Sequence, residues 1–151
     1  MATRFPLQTL HDLSQLRLDD ATRRLGELIA SEGEAKKRRD LLVEYRLEYQ
    51  ARFVSASQSG LGPRELHNYR SFLSKLDDAV DQAERQVAQS QARTAHGQKE
   101  WLNKRGDVKA YDTLSERHRQ REQHGELRRE QRQADEFAAR RIDQVAGDDG
   151  A

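Results

Sequence analysis

By the placement of its apolar residues the chain divides into two long segments, each with a hydrophobic row at helical spacing. In the first, a row advances in steps of seven through Leu7, Ser14, Ala21, Leu28, Ala35, Leu42, Tyr49 and Ala56, all apolar or small. Companion positions mix Leu10 and Tyr45 with Arg17, Arg24 and Arg38, while Leu18, Leu25 and Phe53 cover the flanking row. The stripe therefore drifts around a helix that winds shallowly against its partner. This predicts a helix over about 6–57, opened by Pro6 and about 75 Å long at roughly 1.5 Å per residue. Gly26 and Gly33 lower its propensity by about 1 kcal/mol each without ending it. In the second segment the steps alternate between three and four: Leu66, Tyr69, Leu73, Leu76, Val80, Ala83, Val87, Ser90, Thr94, Gly97, Trp101, Lys104, Val108 and Tyr111. That pattern predicts a longer helix over about 64–145, followed by a frayed tail at 146–151.

Between them, residues 58–63 hold Gly60, Gly62 and Pro63, the one place where turn formers cluster. Glycine accepts positive φ, and proline suits the first position of a helix. The prediction is a single all-α domain over 1–151, a long two-helix antiparallel coiled-coil hairpin whose second helix is the longer. Folding back about residue 61 sets residue j near 122 − j, so Phe53 meets Tyr69, Tyr45 meets the surroundings of Asp77, and Trp101 lies near Ala21. Gly97 faces the Leu25 region. Ser90, Thr94 and Gly97 make the middle of the seam polar and predict flexibility there. Beyond residue 115 the first helix offers no partner, so the second should overhang. The overhang is rich in Arg and Glu at spacings that support a helix without a packed face. Its sparse apolar positions, Leu127, Ala134, Phe137, Ala138, Ile142 and Val145, form a stripe suited to another molecule.

Composition narrows the class. Hydrophobic residues make up 34% and charged residues 35%, and the mean hydropathy is −1.07. That is too polar for a thick core but fits a seam that buries about two residues in seven. The 151 residues contain no cysteine, which excludes a disulfide scaffold and is ordinary for a cytosolic protein. No apolar leader opens the chain and no window approaches a membrane span. Basic and acidic residues number 27 and 26, so global charge names no polyanionic partner.

Catalytic and cofactor motifs are missing. The five histidines show no i, i+4 pair and no nearby cysteine, which argues against a metal site. No GxxxxGK[ST] loop is present, so the chain is not expected to hydrolyse ATP itself. Gly60-Leu61-Gly62 has neither a third glycine nor a preceding strand, and reads as a turn. Acids interleave with the overhang arginines without aromatic company, against nucleic-acid binding. The expectation is a protein with no enzymatic activity and no cofactor. A plain coiled-coil scaffold tethering two proteins is one reading of these features.

Specific strings go further. Phe5-Pro6-Leu7-Gln8-Thr9-Leu10-His11-Asp12-Leu13, Tyr45-Arg46-Leu47-Glu48-Tyr49 and Asn68-Tyr69-Arg70-Ser71-Phe72-Leu73-Ser74-Lys75-Leu76-Asp77 resemble the flagellar FliJ family. So do Asp20-Ala21-Thr22-Arg23-Arg24-Leu25, Tyr111-Asp112-Thr113-Leu114-Ser115 and Glu130-Gln131-Arg132-Gln133-Ala134-Asp135-Glu136-Phe137. The resemblance implies a component of the flagellar type III export apparatus that looks like the central stalk of rotary ATPases. Its implied partners are a hexameric export ATPase, whose ring it helps assemble, the cytoplasmic domain of a membrane export-gate protein, and export chaperones. Nucleic acid and direct membrane insertion are not implied. The implied location is the cytoplasm, at the inner face of the inner membrane through the export apparatus. The equivalent stalk of a virulence injectisome is the nearest alternative, and Asn68–Val80 favours the flagellar system.

Site residues follow from the resemblance. Export-gate contact maps to Phe72, Leu76 and Ala79, a row beside the seam with Leu76 at its edge; core packing is the competing reading of the same row. The stalk analogy implicates Leu7, Leu10 and Leu13 at one end, with Arg132, Asp135, Phe137 and Arg140 at the other, in ATPase binding. Val43, Leu47 and Val54 point away from the seam, as a broader local core or as an exposed surface for a chaperone.

Overall fold

The computed structural model describes residues 3–148. Two helices account for nearly all of them: α1, Gln8–Ser59, and α2, Pro63–Asp148, with no strand among the described residues. The chain is a helical hairpin whose second helix is the longer, 86 residues against 52.

The reversal is built as the glycines and proline require. Gly60 adopts φ 89°, the sole positive φ among the described residues, and its N–H donates to the Ser57 carbonyl at 3.3 Å. A glycine there ends a helix without a Cβ penalty. The Gly62 carbonyl then accepts the Leu66 N–H at 3.0 Å, so α2 starts at Pro63, whose missing N–H leaves no donor orphaned. The end of α2 runs through Asp148, past the expected boundary; of the predicted frayed tail, residues 149–151 lie outside the described residues.

Contacts divide the chain into two compact units. The first to consider, Leu18–Lys104, contains the turn. Its seam buries Ala21, Leu76, Ala83, Val87 and Ser90. No large side chain is fully buried anywhere among the described residues, as a two-helix seam dictates. Near the turn, rings take over: Phe53 and Tyr69 have centroids 5.6 Å apart, and Tyr49 lies 4.5 Å from Phe72 and 5.4 Å from Tyr69. Farther along, the Thr94 hydroxyl reaches the Leu28 carbonyl at 3.4 Å and the Trp101 indole N–H donates to Thr22 Oγ1 at 2.9 Å. These partners have numbers adding to about 122, the register expected for a turn at residue 61. Arg46 pairs with Asp77, whereas Tyr45 turns to Phe72.

The second unit holds residues up to Arg17 and from Arg105 onward. Ser14 and Val108 are its buried pair. His11 stacks on Tyr111 with centroids 6.3 Å apart and its Nε2 lies 2.6 Å from Asp112 Oδ1. A carboxylate only accepts, so Nε2 carries the proton, and buried Nδ1 has no hydrogen-bond partner. Pairing continues past the expected limit of 115. Phe5 packs on His118 at 5.7 Å, His118 Nε2 donates to the Thr3 carbonyl at 3.1 Å, and Thr3 Oγ1 donates to Glu122 Oε1 at 2.6 Å. The residues ahead of α1, although not helical, lie against α2 and lengthen the paired region.

Candidate functional site

Leucines just before and within the first turns of α1 face outward. Leu7, Leu10 and Leu13 are all exposed and line a shallow groove with Tyr111, Leu114 and Asp107. Their side of the helix is fixed by His11 and Ser14, which occupy the seam: Ser14 is buried, donating to the His11 carbonyl at 2.7 Å. Leucines at i, i+3 and i+6 then flank the seam on an open face.

Leu76 is packed into the seam, 6% exposed. Phe72 is half-buried, its ring edge-on to Tyr45 at 6.3 Å and tilted on Tyr49 at 4.5 Å. The expectation that Phe72 sits beside the seam and Leu76 at its edge is corrected: both take part in holding α2 against α1. The physical reason is the aromatic row Tyr45, Tyr49, Phe53 on α1, spaced four apart, which faces Tyr69 and Phe72. Offset and edge-to-face ring pairs draw Phe72 inward. That row was visible in the sequence and is the signal that could have placed Phe72. Ala79 is half-buried.

Val43, Leu47 and Val54 are exposed, and so is Leu41. Of the two readings for this stretch, the structure favours a surface. The seam side of α1 here is occupied by Leu42, Tyr49 and Phe53, each half-buried.

From Leu127 to Asp148 every residue of α2 is exposed, including Arg132, Asp135, Phe137 and Arg140. Just before it, charge organises the helix surface. Arg119 donates to both carboxylate oxygens of Glu116, at 3.1 and 2.7 Å, and this hydrogen bonding holds the Glu116 carboxyl below its usual range. The Glu122 carboxyl is likewise lowered, chiefly by the hydrogen bond from Thr3. Both groups sit at the surface, where water screens them. No group of three His, Cys, Asp or Glu side chains suited to a metal ion occurs among the described residues, and no helix there is long and apolar enough to cross a membrane.

The sequence that folds into this hairpin matches a known family along most of its length. The model for the flagellar FliJ protein matches residues 3–146. The chain belongs to the flagellar FliJ family. Two FliJ relatives, both named Flagellar FliJ protein, come from Salmonella typhi and Escherichia coli (strain K12). Each is 31% identical over 140 residues, covering 93% of this chain and 95% of its own. FliJ membership thus extends over both helices and into the exposed end of α2.

Proposed function

We propose that this chain, a component of flagellar protein export, acts as a central stalk that promotes assembly and activity of the hexameric export ATPase ring. In this reading it also links the ring to the membrane export gate and handles export chaperones, working at the cytoplasmic face of the inner membrane. The observation that carries the reading is the exposure of α2 from Leu127 to Asp148, beyond its pairing with the start of the chain. A helix released from its partner at one end can enter a ring, and charged residues spread over its surface suit several weak contacts with neighbouring subunits. Leu7, Leu10 and Leu13 add an exposed apolar face beside Tyr111 and Leu114, and Arg132, Asp135, Phe137 and Arg140 supply contacts on the free helix.

Gate contact falls to the row Phe72, Leu76 and Ala79 on α2, of which Phe72 and Leu76 also hold α2 against α1. The exposed Val43, Leu47 and Val54 are the surface proposed for chaperones. Purified export ATPase assayed with and without the full chain tests the reading: turnover and ring formation both rise if the chain is a stalk. If neither changes while the two proteins still bind each other, the chain is a tether.

A further inference from the structure

Beyond Ser115 the arginines of α2 alternate with acids along the sequence but part from them around the helix. At about 100° per residue, Arg117, Arg121, His124, Arg128 and Arg132 form one row, in steps of four, three, four and four. Glu116, Glu122, Glu126 and Glu130 are centred on the opposite side of the helix. That side adjoins the seam, where Glu122 is half-buried and accepts from Thr3. The basic row lies about a third of a turn around from the seam, and all five of its members are exposed.

Arginines off the row have acids of their own. Arg119 donates to both carboxylate oxygens of Glu116, and Arg129 has Glu126 three residues before it. By contrast, no acid lies three or four residues to either side of Arg117, Arg121 or Arg128. Arg121 instead follows Arg117 by four and Arg132 follows Arg128 by four, spacings at which like charges weaken a helix. The Arg121 Nε donates to the Arg117 carbonyl at 3.4 Å, a bond that brings no anion. Among the described residues none of Arg117, Arg121, Arg128 and Arg132 forms an ion pair. Asp135 and Glu136, three and four residues past Arg132, close the row.

We propose that this row is a docking surface for an acidic helix of another protein, one whose carboxylates recur at three- and four-residue steps. Uncompensated positive charge sets the sign of the partner, and geometry selects a helix. The row is straight, one side chain wide and roughly 22 Å long. Its members are separated by rises of about 4.5–6 Å, the same rises that separate carboxylates at i, i+3 and i, i+4 on a second helix. Each guanidinium can meet a carboxylate through two parallel hydrogen bonds. Duplex nucleic acid fits less well, because a groove flanked by phosphates on both sides would meet Glu126 and Glu130. The row also offers no aromatic ring for stacking a single strand and no apolar residue to enter a bilayer. Exposed ion pairs are individually weak, so the docking is reversible and weakens as salt rises.

The full-length chain with a fluorescent peptide provides the test; no ATPase is present, so the outcome is independent of the stalk reading. The probe is an alanine-based helical peptide with four glutamates on one face, in steps of four, three and four. Its control has the same composition with the glutamates spread around the helix. Fluorescence anisotropy at low salt should show the striped peptide binding at least about tenfold more tightly than the control. Arg117→Gln/Arg121→Gln/Arg128→Gln should lose that preference. Arg119→Gln/Arg129→Gln/Arg140→Gln removes the same charge away from the row and should keep it. Glutamine is nearly as good a helix former as arginine and all six positions are exposed, so circular dichroism should match the native chain in both variants. A native chain that does not bind the striped peptide, or binds both peptides equally, overturns the proposal. So does an equal loss in the two triple variants. Duplex DNA or phosphatidylglycerol vesicles bound more tightly than the striped peptide through the same three arginines would overturn it too, by assigning the row to phosphate.

Discussion

Gly97 leaves almost no room for a side chain: an added Cβ would lie 2.5 Å from Leu28 Cδ1 and 3.8 Å from Leu25 Cδ1. Gly26 and Gly33, by contrast, have nothing within 4 Å of that position. The three glycines are all helical, yet only Gly97 is placed by packing. Gly97→Leu should overpack the seam and cost about 1–3 kcal/mol. Gly26→Ala and Gly33→Ala should each stabilise by about 0.5–1 kcal/mol, through propensity alone. Urea titration followed by circular dichroism checks both signs; a Gly97→Leu chain as stable as the native one would contradict the packing. The seven-residue row on α1 and the three-four steps on α2 were enough to set Gly97 in the seam near Leu25. That Leu28 fills the space left by the missing side chain was not legible, because spacing fixes a face and leaves rotamers open.

At the level of helices, the pairing was legible from one turn and two repeats. With a single reversal fixed near residue 61, the register has little freedom, and Phe53–Tyr69 and Trp101–Thr22 fall where the fold-back sets them. Two features escaped. Thr3 and Phe5 precede α1 and carry no helical period, so their packing against His118 and Glu122 had no sequence signal. The heptad register sets Phe72 beside the seam, whereas its ring contacts with Tyr45 and Tyr49 draw it inward. The consequence is a sharper test of the gate surface. Phe72→Asp removes contacts with Tyr45 and Tyr49 and sets a carboxylate among rings, costing about 2 kcal/mol or more. Ala79→Asp leaves those contacts in place and should cost less than about 1 kcal/mol. Ala79→Asp is therefore the variant expected to lose binding to the export-gate domain at native melting temperature. Should it bind the gate as the native chain does, Ala79 lies outside the contact.

For the molecule as a whole, the decisive question is what the free end of α2 contributes. Among the described residues its pairing with the start of the chain reaches the Thr3–Glu122 tie, and every residue from Leu127 to Asp148 is exposed. Removing residues 128–151 should therefore leave the hairpin folded, with helicity falling only in proportion to the residues lost. A stalk inside a ring of six subunits cannot match each subunit equally, so its contacts must be modest and distributed. Exposed ion pairs contribute about 0–1 kcal/mol each, and Arg132→Glu or Arg140→Glu alone should change ATPase stimulation little. The truncation removes all of these contacts together and should abolish stimulation while gate binding persists. Stimulation by the full chain should also decline with salt, since the Debye length shrinks from about 10 Å at 0.1 M to about 3 Å at 1 M. Measured side by side, a truncated chain that stimulates the ATPase at the full-length level would place the ring contact on the leucine face of Leu7, Leu10 and Leu13. In that case stimulation should resist salt and respond to Leu10→Asp, because apolar contacts are not screened.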